Sequence, residues 1–242
     1  MNVIEHLSQK IVCPLQFGGI DLSITNGVIA MWLAVLLVTV FFWLVSRQLR
    51  PVPGKMQNLA EVLVLFIRDE IGGQLGDTRD RWLPFLAAIF TFILACNLLG
   101  LVPGVASATA NINTTAALAL IVFFVVQVVG VREHGFFPYL KSFIPEGVPL
   151  PIAVFMVPIE LISTLAKPFS LAMRLFANMF AGHAVMFLIL SMIVLFHSWL
   201  VVPLPVVGDT VFLAFELFIA FIQAFVFTYL SALYIATAQE GH

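Results

Sequence analysis

Residues 82–131 read WLPFLAAIFTFILACNLLGLVPGVASATANINTTAALALIVFFVVQVVGV, 50 consecutive positions without one Asp, Glu, Lys or Arg. A helix crosses a bilayer with about 20 mainly apolar residues, because the hydrocarbon core is ~30 Å thick. The run is too long for one upright span and fits two. Pro103, Gly104 and the polar stretch Ser107 to Thr115 divide it, which predicts spans over 84–101 and 114–131. The whole chain has the same character: 62% of its 242 residues are hydrophobic, 10% are charged, and mean hydropathy is +1.09. Soluble domains run roughly 45–50% apolar and about 25% charged. A chain this apolar cannot clothe a water-facing surface, so lipid is its main solvent.

Outward from that run, residues 28–45 are nearly all Val, Leu, Phe, Trp and Ala and predict another span. Arg47, Arg50 and Lys55 follow it, with Pro51, Pro53 and Gly54 as helix breakers. Over 56–71, Leu59, Leu63, Phe66, Ile67 and Glu70 recur at helical spacing, which predicts an amphipathic helix lying at the interface. A polar link is expected from Gly72 to Arg81. Beyond the loop that starts at Arg132, residues 152–196 are apolar but interrupted by Pro158, Glu160, Lys167, Pro168, Arg174, Asn178 and His183. As one helix this segment would reach ~68 Å. It must either break into two spans or lie tilted by roughly 60° from the membrane normal. A last helix is expected over 210–239.

Charge bias favours the tilted option. With five spans and the N-terminus outside, Arg47, Arg50, Lys55, Arg68, Arg79, Arg81, Arg132 and Lys141 all fall inside, whereas the outer loops 102–113 and 197–209 hold no Lys or Arg. The expected architecture is all-α and forms a single membrane domain. It has five membrane-crossing segments plus one interfacial helix, and the last two segments form a long tilted hairpin. Residues 1–21 carry Glu5, Lys10 and Asp21 without a clean apolar core, so no secretory leader is expected there. Cys13 and Cys96 suggest neither a disulfide framework nor a metal site. Net charge is −2, which by itself says nothing about nucleic acid, and no nucleic-acid partner is expected of so lipid-solvated a chain; the absence of a phosphate-binding loop or hydrolase motif leaves no cofactor to place.

Ionisable residues inside a membrane helix are costly and usually mark an ion or proton path. Glu160, Ser163, Lys167, Ser170, Arg174 and Asn178 are separated by 3, 4, 3, 4 and 4 positions and share one helical stripe. Such a stripe must face protein or water. Its structural alternative is a polar seam between packed helices, and Lys167 could snorkel to the interface. Arg174 lies seven residues deeper than Lys167. In the last segment Glu216 and Gln223 are two turns apart on one side. In an antiparallel hairpin, Arg174 is level with Gln223 and His183 with Glu216, within about 3 Å along the axis. Arg174 and His183 point in nearly opposite directions on an ideal helix. Water bridging between His183 and Glu216 is therefore expected in preference to direct contact.

The run Lys167-Pro-Phe-Ser-Leu-Ala-Met-Arg-Leu-Phe-Ala-Asn-Met-Phe-Ala-Gly-His183 resembles the signature of the a subunit of F-type rotary ATP synthases. Pro158-Ile-Glu160, Asn111-Ile-Asn-Thr-Thr115 and Ile222-Gln-Ala-Phe-Val-Phe227 resemble further segments of that family, so the likeness covers nearly the whole chain. Three departures stand out. Ala177 takes a position where the family commonly has Gly, Asn111 one where many members have Asp, and His183 and Glu216 exchange the acid and base of some bacterial members.

The resemblance implies a proton-conducting stator, not catalytic alone, in the FO sector of a bacterial plasma-membrane complex. Its implied partners are a ring of c subunits, a b-subunit peripheral stalk and the other synthase subunits. A protonated ring carboxyl can face lipid and an ionised one cannot, while a fixed positive charge beside it favours the ionised form. Arg174 would supply that charge and block straight-through leakage. Asn178, His183, Glu216 and Gln223 would belong to an outer half-channel, and Glu160, Lys167 and Ser170 to an inner one. The alternative, a proton-coupled secondary transporter, should show inverted repeats, and none is evident.

Overall fold

The computed structural model describes residues 11–14, 16–17, 20–21, 23–102, 105–141, 150–196 and 203–240. Four short strands, β1 (Ile11–Cys13), β2 (Gln16–Phe17), β3 (Ile20–Asp21) and β4 (Ile24–Thr25), precede the helices. They pair antiparallel as β1 with β4 and β2 with β3. The regular elements described after them are helical, and the longer ones are α1 (Asn26–Arg47), α2 (Lys55–Phe66), α3 (Arg79–Gly100), α4 (Ile112–His134), α5 (Phe136–Lys141), α6 (Leu150–Phe196) and α7 (Pro203–Glu240). Five helical segments are long and apolar enough to cross a membrane, as the fold class requires. The one over Lys55–Gly100 includes α2, α3 and the turns between them.

α7 is the central helix and packs on α3, α4 and α6. Its inward stripe is built from small residues, Ala220, Ala224, Thr228, Ser231, Ala232 and Ala236, all buried. Small side chains let helix backbones approach closely where lipid provides no hydrophobic drive. Thr228 and Ser231 donate their hydroxyls to the carbonyls of Ala224 and Phe227, each at 2.8 Å, so neither demands an outside partner. α1 packs on α3 through Ala30 and Ala34, one turn apart, with Cys96 and Ala108 opposite. Its other faces, including Trp32 and Leu36, are exposed.

The expected polar link at Gly72–Arg81 is instead helical. A π turn (Ile67–Ile71) and a 3-10 segment (Gly72–Thr78) run into α3, which begins at Arg79. The reason is an apolar stripe that continues past residue 70: Ile67, Ile71 and Leu75 are buried at four-residue spacing. Gly76 takes φ +51°, where a side chain would be strained. Two polar tethers dock this segment on α7. Gln74 Nε2 donates to the Tyr229 hydroxyl at 2.7 Å, and the Thr78 hydroxyl donates to Gln239 Oε1 at 2.8 Å. On α2, Gln57 clamps the preceding loop: its carbonyl accepts from the Arg50 amide and its Nε2 donates to the Arg50 carbonyl, both at 3.0 Å.

α6 is continuous for 47 residues, with Pro158 and Pro168 inside it. Of the two options that the sequence leaves open, the unbroken helix is the one formed. α6 packs on α4 and α7 through Leu171, Ala172, Leu175 and Met179, all buried. Much of its remaining surface is bare: Phe155 is 75% exposed, Ile162 67% and Phe169 67%.

Candidate functional site

The α6 stripe lies on the bare side. Ser163, Ser170 and Arg174 are exposed, and Glu160, Lys167 and Asn178 are half-buried. The reason is angular. Leu171, Leu175 and Met179 occupy the core-facing line, and Arg174 and Ser170 each precede a member of it by one residue, about 100° around the helix. Arg174 makes no hydrogen bond or ion pair among the described residues. Its charge is near enough to act on Tyr234 of α7. Lys167 stands over the same ring, its Nζ 5.7 Å from the Tyr234 centroid.

The α7 stripe is enclosed. Glu216 is 1% exposed and Gln223 7%. Both carboxylate oxygens of Glu216 are buried without a hydrogen-bond partner, as are His183 Nε2 and Asp209 Oδ1. An ionised group held that way would carry its full desolvation cost, so charge here needs water or a moving proton. Glu216 fits because residue 182 is glycine: a Cβ there would collide with its carboxyl group. His183 follows that glycine in the chain, and its Nε2 has no hydrogen bond to the acid. Its Nε2 is directed toward α3, where a Cβ on Gly100 would lie 3.4 Å from that nitrogen and 2.8 Å from Ser107 Oγ.

Around this pair the structure gathers residues that the sequence reading passed over. Asn97 is fully buried, donates from Nδ2 to the Ala220 carbonyl at 3.1 Å, and accepts the Thr109 hydroxyl at 2.8 Å. Ser107 Oγ lies 3.4 Å from Thr109 Oγ1 and accepts the Ala110 amide at 3.3 Å. The polar stretch that divides two spans thus folds inward against α3 and α7. Asp209 completes a heptad line with Glu216 and Gln223 on α7. The same arithmetic that pairs Glu216 with Gln223 would have found it, and the lone amide in an apolar run would have found Asn97.

The fold and these groups define a multipass membrane protein built to handle charge inside the bilayer. The sequence matches the ATP synthase A chain family over residues 28–236. ATP synthase subunit a of Chloroherpeton thalassium is 42% identical over 94% of this chain and 71% of that protein. Subunit a of Magnetococcus marinus is 40% identical, covering 100% of this chain and 94% of its own length. Subunit a of Rhodospirillum rubrum is 39% identical over 99% and 98%. The chain belongs to the ATP synthase A chain family.

Proposed function

We propose that the uncovered α6 stripe is the face presented to a rotating ring of c-subunit carboxyl groups, with Arg174 as the fixed charge they pass. As a family member, the chain serves the FO sector of a rotary ATP synthase as its proton-translocating stator, in company with the other synthase subunits. The observation that carries the ring-facing reading is Arg174 itself: a guanidinium without a hydrogen bond or ion pair among the described residues, on an exposed polar stripe flanked by bare apolar side chains of a 47-residue helix. Bare in lipid, a central arginine costs roughly 2.5–3.5 kcal/mol or more. An acidic partner that arrives on another subunit removes that cost.

The outer half-channel runs past Asp209, His183 and Glu216 to Gln223 and Asn178. Its wall is the network of Asn97, Ser107 and Thr109, and its unpartnered carboxylate, imidazole and carboxyl oxygens are groups that water or a proton would satisfy. The inner half-channel runs by Ser170, Lys167 and Glu160, on the open stripe. The N-terminus lies outside a bacterial plasma membrane, and the b-subunit stalk is a further partner. ATP chemistry belongs to other subunits. The test is gradient-driven ATP synthesis in liposomes holding the whole complex. Arg174→Ala should assemble yet make no ATP, and normal synthesis by that variant would overturn the reading.

A further inference from the structure

A groove of about 280 Å³ opens between the arginine-bearing ends of α3 and α4, and none of its lining residues is assigned to the proton path. Its walls are apolar, with Phe124 and Val128 63% and 50% exposed and Trp82 on the α3 side. Its mouth carries Arg81, Arg132 and Glu133. Nearby arginines are paired: Arg68 lies 3.0 Å from Asp80, and Arg79 lies 3.6 Å from Asp69 and 3.9 Å from Asp80. Asp80 is thereby shared by its two neighbours, and Arg81 and Arg132 have no ion pair or hydrogen bond among the described residues. The Trp82 Nε1 donor is also buried without an acceptor.

We infer that this groove holds one anionic phospholipid, its phosphodiester between Arg81 and Arg132 and an acyl chain along Phe124 and Val128. Two guanidinium groups against the single Glu133 carboxylate leave one net positive charge, which one phosphodiester balances. Guanidinium matches phosphate oxygens with paired hydrogen bonds. Basic pockets between membrane helices on the cytoplasmic side are the usual seats of such headgroups, and that is the side to which charge bias assigns both arginines. A chain of CH₂ groups along the walls covers the exposed Phe and Val. The bound lipid bridges the ends of two helices that both pack on α7.

The test places a benzophenone-bearing phenylalanine analogue at position 124 of the chain in the intact complex. The complex is reconstituted in vesicles of equal phosphatidylglycerol and phosphatidylcholine, irradiated, and its adducts are identified by mass spectrometry. The expected result is a several-fold excess of phosphatidylglycerol adducts at 124. The same analogue at Leu36, on the bare face of α1, should report the vesicle ratio. Arg81→Gln with Arg132→Gln should bring position 124 down to that ratio. Adducts at the vesicle ratio in the unaltered complex would overturn the inference, as would cross-linking of position 124 to a polypeptide. Neither reading depends on the double variant assembling.

Discussion

On α6 the polar stripe lies open: Ser163, Ser170 and Arg174 look out from the bundle between bare Phe and Ile side chains. On α7 the stripe is shut in: Glu216 and Gln223 are buried on a helix that packs on α3, α4 and α6. The two stripes share a helical periodicity but not a charge: α6 carries Lys167 and Arg174, and α7 carries Asp209 and Glu216. They also differ in what covers them. A stripe closed by its own chain can store uncharged or hydrated groups for protons to visit. A stripe left open must be completed by another subunit, and an unpaired arginine sets the sign of that subunit's charge.

The largest effect should come from the open side. Arg174→Ala is expected to leave assembly intact while ATP synthesis and ATP-driven proton pumping both fall to background, measured in reconstituted vesicles. Passive proton leak should rise, because the barrier charge has gone. If coupling survived, the open stripe would be no more than a lipid-facing surface. On the closed side, Glu216→Gln keeps the shape and removes the titratable group. Synthesis should slow by about tenfold, equivalent to ~1.4 kcal/mol of barrier, and its dependence on external pH should change. Asp209→Asn should alter the same pH profile at a smaller cost in rate. Leak should stay low in both, since Arg174 is untouched. Unchanged profiles in both would reduce the α7 stripe to a structural seam.

A third substitution separates packing from chemistry. Gly182→Ala drives a methyl into the Glu216 carboxyl group. Overpacking of this kind costs ~1–3 kcal/mol, read as a lowered melting temperature of the purified complex. Gly182→Ala combined with Glu216→Ala should recover most of that stability, because the colliding group is gone. Recovery without activity would show that the close approach of α6 and α7 exists to seat the acid.

Much of this was legible in the sequence. Charge-free runs and the Lys/Arg bias marked the helices, and the family resemblance pointed to Arg174, His183, Glu216 and Gln223. What periodicity does not carry is the neighbour on the other side of a stripe. It groups Ser170 with Arg174 as well as Glu216 with Gln223, and only packing shows that one pair is bare and the other enclosed. The polar stretch 107–115 does mark the division between two helices, Arg79–Gly100 and Ile112–His134; periodicity does not show that Thr109 within it is fully buried and bonded to Asn97 of a different helix. The link at 72–81 read as polar because Gly72, Gly73 and Asp77 outweigh Ile71 and Leu75 in composition. The two apolar residues nonetheless sit in phase with Ile67, and that phase decides the structure. The hairpin register that sets His183 level with Glu216 does not carry the fit at Gly182, where a Cβ would meet the Glu216 carboxyl group, or at Gly100, where one would lie 3.4 Å from His183 Nε2.

The smallest expected effect concerns the wall of the closed stripe. Thr109→Val is nearly isosteric and removes the hydroxyl that donates to Asn97 Oδ1 at 2.8 Å. Asn97 still donates to the Ala220 carbonyl, so its side chain stays in place with one buried oxygen unsatisfied. That should cost ~1–3 kcal/mol. Asn97→Leu removes the other partner and leaves the Thr109 hydroxyl with only Ser107 nearby, at 3.4 Å. The double variant exchanges both polar groups for apolar ones, which leaves nothing orphaned between them. Its destabilisation should therefore fall short of the sum of the singles by ~0.5–3 kcal/mol, the range for residues in one network. Thermal unfolding of the four purified complexes measures the difference. Proton uptake should change less in any of them than in Glu216→Gln, because no titratable group is lost. Strict additivity would mean that the stretch 105–111 is held by its apolar contacts alone, and the wall would then have no polar design to explain.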